Sequence, residues 1–161
     1  MELFVQVFVS GILLGGLYAV MALGLALVWG VLNIVNLAHG AFIMLGAYLS
    51  WYLYTGAHID PFLGLPITAS VLFGLGYVLQ RGLLNLVVRA PRFNTLLITF
   101  GLEVVITYLA QIAFSADFRT INPPYAGNSW QLGPITVPVV RFAAFGVAIM
   151  VAMAGIFIAR T

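Results

Sequence analysis

Cysteine is absent, so neither a disulfide framework nor a thiolate metal site is open to this sequence. Lysine is absent too, all six basic residues being arginine. Without lysine the GxxxxGK[ST] phosphate loop cannot be written, which excludes an ATP site of that kind in this chain. Charge of either sign is scarce. Only 6% of the 161 residues are Asp, Glu, Lys or Arg, and none falls between Glu2 and Asp60. An ordinary soluble domain carries about 25%. A net charge of +2 is too small for a surface that tracks nucleic-acid phosphates, so no nucleic-acid partner is expected. So few polar groups cannot cover a globule in water. With 63% hydrophobic residues, the chain reads as an integral membrane protein whose solvent is the lipid bilayer. The opening MELFVQVF has no basic n-region, and a removable signal peptide is not expected.

What is present is apolar length. A span takes roughly 20 apolar residues to cross a core of about 30 Å. Segments at about 39–56, 60–80, 94–115 and 139–159 fit. The first run, 3–32, would be about 45 Å long as a helix. It is read either as one tilted helix ending near Asn33, or as a helix ending near Met21 and a second, broken one passing through Asn33–His39. Both readings give an all-α, polytopic membrane helix bundle of about five spans, one of them discontinuous in the second case. Arg81, Arg89 and Arg92 cluster in one connection and Arg160 closes the last span on the same side, which the positive-inside rule makes cytoplasmic. The N-terminus, the turn TGAHIDP and the loop 116–138 then lie outside, with Arg119 and Arg141 as exceptions. In that loop Pro123-Pro124 favours extended, polyproline-like backbone, and Tyr125 and Trp130 suit the headgroup layer.

In lipid, helices associate through close backbone approach and polar bonds. Gly11, Gly15 and Ala19, four apart, are the expected helix-packing face of the first span, within the chain or against another subunit. In the fourth, Thr95, Thr99, Glu103, Thr107 and Gln111 recur every four residues, drifting about 40° per step, and so form one polar ribbon. Glu103 falls near mid-membrane. An ionised group there is costly enough that it is expected to face protein or water rather than lipid. The threonines have a plainer reading as packing residues that bond back to their own helix.

Asn33, Asn36 and His39 interrupt the long uncharged run at three-residue spacing, which would put them on one helical face, with Gly30 and Gly40 on either side. Broken helices build midplane sites in transporters, since irregular backbone at membrane depth is tolerated only where protein buries it or a cavity meets it. A tight cytoplasmic turn between two spans uses the same residue types. The residues leave both open. One histidine with no carboxylate or thiol nearby offers too few ligands for a metal.

The run LGLALVWGVLNIVNLAHGAFIMLGAYLSW, followed by Arg89-Ala90-Pro91-Arg92 and LLITFGL at 96–102, resembles the paired signature runs of the permease subunits of branched-chain amino acid importers of the ATP-binding-cassette type. The resemblance covers the whole chain. It implies a multi-pass subunit of the bacterial cytoplasmic (inner) membrane, with no cofactor and no ATPase activity of its own. The partners it implies are cytoplasmic ATP-binding subunits, a second permease subunit and an external or periplasmic substrate-binding protein. Asn33, Asn36, His39 and Gly40, with Thr99, Glu103 and Thr107 from the ribbon, are the expected translocation path or gate. Such permeases are roughly twice this length, and their cytoplasmic coupling segment would begin where this sequence reads FIART. The expectation is therefore one transmembrane permease-like domain, 1–161, corresponding to the front half of such a subunit. Importers of urea or short-chain amides carry very similar runs and are the nearest alternative. An ion-coupled carrier using Glu103 is a second. An intramembrane enzyme is disfavoured because no Ser, Cys or Asp within the spans accompanies His39.

Overall fold

The structure is a computed structural model that describes residues 2–32, 35–87, 92–115, 117–133 and 135–160. Helices dominate: α1 (Glu2–Leu32), α2 (His39–Ala57), α3 (Pro61–Leu79), a short α4 (Asn85–Val87), α5 (Arg92–Phe114) and α6 (Val139–Arg160). A π-helical turn, Gln80–Leu84, joins α3 to α4. The chain divides into two compact units, Met1–Gly30 with Asn122–Thr161, and Val31–Ile121.

Among the described residues four helical stretches are long and apolar enough to cross a membrane: Leu3–Val31, Pro61–Leu84, Phe93–Phe114 and Val139–Phe157. The polytopic helix bundle expected from the sequence is what forms. The fifth expected span, α2, is 19 residues long and carries His39, Ser50, Trp51, Thr55 and three tyrosines. Those polar residues take it below the apolarity of the other four, and it packs against both α3 and α5.

Within Val31–Ile121 the pairings fix direction. Ser50 Oγ lies 3.4 Å from Thr68 Oγ1. Leu53 lies over Gly64 and Leu72 over Gly46. As one number rises the other falls, so α2 and α3 are antiparallel. Val35 meets Thr99 and Tyr48 stacks on Phe114 at 4.7 Å, so α2 and α5 run the same way. The turn between α2 and α3 is tight. His58 takes a left-handed conformation (φ 54°), and the amides of His58 and Ile59 both reach the Leu53 carbonyl. Asp60 then caps α3, accepting from the Phe62 amide at 2.9 Å, with Pro61 at the first helical position where no N–H is needed.

In the other unit α1 and α6 run parallel. A Cβ added at Gly16 would run into the Phe145 ring, and one at Gly155 would touch Leu23 and Leu27. Within the chain the close approach is made by Gly16 rather than by Gly11, Gly15 or Ala19, whose face is left open to another subunit. Nothing lies within 4 Å of a Cβ at Gly11 or Gly15, and Ala19 is exposed. The segment before α6 folds differently from the extended run expected. Residues Pro123–Ala126 close a turn, with the Ala126 amide 2.8 Å from the Pro123 carbonyl. Strands β1 (Ser129–Leu132) and β2 (Ile135–Pro138) then form an antiparallel hairpin. Gln6 of α1 clamps that hairpin, its amide nitrogen donating to Thr136 O and its oxygen accepting from Thr136 N, both at 2.8 Å.

Candidate functional site: the α1–α2 break and the polar face of α5

α1 ends at Leu32 and α2 starts at His39. Residues 35–38 are not helical, so Asn36 and His39 do not share the helical face expected of them. Asn33 lies outside the described residues. Leaving the helix frees backbone groups, and two side chains meet them. Asn36 Oδ1 accepts from the Ala38 amide at 3.1 Å, and the His39 amide reaches Asn36 O at 3.2 Å. Thr99 reaches across from α5 and donates to Val35 O at 3.3 Å, its single proton divided with Leu96 O at 3.2 Å. Thr99 and Ala38 are both fully buried, and Thr95 is nearly so. Thr99 is seven residues into α5, so the turn sits about 10 Å along that helix from its first residue. Of the irregular residues Ala38 is buried and Asn36 half-buried while Val35 and Leu37 are exposed, so the turn is covered on its α5 side only.

His39 is half-buried in the first turn of α2. Gly40 beside it is exposed, with nothing within 4 Å of an added Cβ. Further along α5, Thr107 Oγ1 donates to Glu103 Oε1 at 3.4 Å, both residues half-buried. The ribbon does not stay on one surface. The buried line of α5 runs Thr95, Thr99, Ile106, Ala110, and Gln111 is exposed. The 40° drift per step accumulates to about 120° between Thr99 and Gln111, enough to carry the polar row off the packed face. The structure thus joins Asn36 and Thr99 at one turn and pairs Glu103 with Thr107 a turn beyond Thr99.

Sequence reading missed the end of α5. Ser115 is left-handed (φ 59°), and Arg119 folds back so that its Nε and Nη2 donate to the Phe114 carbonyl, left open by the helix end. Its guanidinium carbon lies 4.2 Å from the centroid of the Trp51 ring. An arginine close behind an apolar helix was the available signal, since cations complement helix C-termini.

Comparison with known proteins adds to this arrangement. The profile of the family described as "Branched-chain amino acid transport system / permease component" matches residues 7–161. The chain belongs to that permease family. Among curated relatives, the high-affinity branched-chain amino acid transport system permease protein LivH of Salmonella typhimurium is 27% identical over 142 residues, 81% of this chain and 44% of LivH. LivH of Escherichia coli K12 is 26% identical over the same length. The permease protein BraD of Pseudomonas aeruginosa is 24% identical over 133 residues, 78% of this chain and 43% of BraD. The chain thus spans less than half the length of these relatives. No solved structure matches it. As a member of this family with, among the described residues, four helices long and apolar enough to cross a membrane, the chain is a multi-pass membrane protein of the permease type.

Proposed function

We propose that this chain serves as a transmembrane permease subunit of an ATP-binding-cassette importer, moving branched-chain or related aliphatic amino acids across the bacterial cytoplasmic membrane. The observation that carries the reading is the family match over 7–161, with relatives whose names specify branched-chain amino acid transport. ATP hydrolysis would belong to separate cytoplasmic subunits, in keeping with a sequence that cannot form a lysine phosphate loop. A second permease subunit and an external binding protein complete the assembly. The two compact units belong to one permease domain. The N-terminus faces outward, which places Arg81 and Arg92 in the cytoplasm. The parallel course of α1 and α6, and of α2 and α5, supports an alternating arrangement of this kind.

In this reading the substrate passes the α1–α2 break. Asn36 and Thr99 hold the turn in shape, and Asn33 belongs to the same connection. His39, Glu103 and Thr107 present polar groups to the path, and Gly40 leaves room beside His39. Neutral amides and hydroxyls bond a solute without the cost of burying a full charge.

The test is reconstitution in proteoliposomes of the complete importer containing this chain. Uptake of L-leucine that requires ATP and the binding protein is expected. Uptake driven by a proton gradient without ATP, or of urea and not leucine, would overturn the assignment. His39→Ala is expected to slow uptake with membrane insertion unchanged; unaltered transport kinetics would take His39 out of the path.

A further inference from the structure

At the end of Val31–Ile121 where α5 stops, a cavity of about 280 Å³ opens between α2 and the segment that follows α5. Met44, Tyr48 and Trp51 line it from one face of α2, and Asp117 and Arg119 from the other side. These are two full charges of opposite sign in a chain that has only ten. They are held by one small network. Ser115 Oγ lies 2.8 Å from Asp117 Oδ2 and 3.3 Å from Arg119 Nη2. The Phe114 carbonyl takes Nε and Nη2 of Arg119, and the Trp51 ring supports the guanidinium plane. A preorganised guanidinium with an amino edge to spare is suited to a carboxylate.

We propose that this cavity is a docking site for the zwitterion of a free α-amino acid, its α-carboxylate on Arg119, its α-ammonium on Asp117 and its side chain against Met44 and Trp51. The proposal rests on the amino-acid reading above and deepens it. The volume lies just under the usual range of ligand pockets, about 300–1,000 Å³, and so fits a small solute rather than a peptide. The pairing of signs matches a zwitterion and gives urea, which carries no charge, no advantage. A second cavity of about 290 Å³ on the neighbouring face of α2, lined by Leu45, Leu49, Tyr52, Leu72 and Phe114 among others, offers almost only apolar surface. It has nothing to hold either charge. The site lies beside the middle of α2, at residues 44–51 of 39–57, which in the proposed orientation is outward of the α1–α2 break. It would receive substrate before the path.

The experiment measures binding of radiolabelled L-leucine to the 161-residue chain in lipid nanodiscs. Competitors are leucinamide (no carboxylate), isocaproate (no ammonium) and urea. Leucine is expected to compete better than either half-molecule, and urea not at all. Asp117→Asn should weaken leucine on the order of fivefold while leaving isocaproate unchanged, because the pair is exposed and screened. Arg119→Gln should weaken leucine similarly and leave leucinamide unchanged. Arg119 also closes the end of α5, so Asp117→Asn, which leaves that closure intact, guards against a folding effect. Equal competition by both half-molecules, competition by urea, or unchanged leucine affinity in Asp117→Asn would each overturn the site. ATP-driven uptake by the complete importer separates the two readings. Leucine uptake with an unaltered KM in Asp117→Asn sinks the site and leaves the permease assignment standing. Charge-selective leucine binding by the chain, with no amino-acid uptake by the importer, does the reverse.

Discussion

Replacing Thr99 with valine tests whether the α1–α2 break is held by a side chain from another helix. Valine has nearly the same shape, so the buried site keeps its packing and loses one hydroxyl. Leu96 O keeps its own place in the α5 ladder. The group abandoned is Val35 O, whose acceptor capacity Thr99 meets at 3.3 Å. An acceptor left open in a fully buried setting costs about 1–3 kcal/mol, an upper bound here because Val35 is partly exposed. Interhelical polar bonds in a membrane average about 0.6 and reach about 1.7 kcal/mol. The bond here is longer than the usual O–H···O mode of about 2.7–2.8 Å, and its proton is divided with Leu96 O. The expected loss is therefore about 1 kcal/mol.

Stability alone does not isolate the cause. Thr99→Ser keeps the hydroxyl and sheds a methyl worth about 0.8 kcal/mol, so both variants lose similar amounts. The Val35 carbonyl stretch separates them. With an isotope label at that carbonyl, infrared spectra of Thr99→Val should show the band moved to higher frequency, while Thr99→Ser leaves it in place. A band unmoved in Thr99→Val would refute the claim that this hydroxyl closes the break.

Other perturbations probe the remaining contacts. Asn36→Ala removes the acceptor for the Ala38 amide and should cost about 1 kcal/mol, whereas Asn36→Asp retains it; unfolding in bicelles reads both. Gly16→Ala should destabilise by about 1–3 kcal/mol because Phe145 occupies the space, with Phe145→Leu restoring part of it; Gly11→Ala and Gly15→Ala should be tolerated. A tolerated Gly16→Ala would mean that α1 and α6 do not meet there. Gln6→Leu breaks both bonds to Thr136 and should quicken proteolysis between 129 and 138, with a loss of about 1–2 kcal/mol in unfolding. Unchanged cleavage would show the hairpin to be held by other contacts.

Much of the fold was legible because the bilayer narrows the choices. Length and apolarity located every long helix to within a few residues. α2, α3 and α5 take the alternating courses that successive spans require, whichever side of the membrane the arginines face. What stayed hidden depends on rotation about a helix axis. Gly11, Gly15 and Ala19 have the right spacing, but Gly16, one residue round, is where Phe145 arrives. The spacing of small residues says that some face of α1 can be approached closely and does not say which. Gln6 and Arg119 were hidden for another reason. Each bonds backbone exposed by a local ending, the edge of a hairpin or the last carbonyl of α5, and those endings appear only when the chain is folded.

The same distinction sets the meaning of the polar residues in the break. In water a helix can stop and let solvent take its open amides and carbonyls. At membrane depth each freed group needs a partner from the protein. Asn36 and Thr99 supply two such partners, so their presence in an apolar run follows from the break itself, whatever passes beside it. Glu103 and Thr107 differ, because they lie one and two turns along α5 beyond Thr99 and bond no backbone of the break. Glu103 and Thr107 satisfy one another at 3.4 Å in the middle of α5, where leucine would have inserted more readily. A pair that the fold does not require, half-buried and one turn beyond the Thr99 anchor, is where a path for polar solute has its best support. It follows that Glu103→Gln, which keeps the bond to Thr107 and removes only the titratable group, should leave stability unchanged and alter uptake. If uptake too were unchanged, the acid group would have no part in the path, and the search would move to His39.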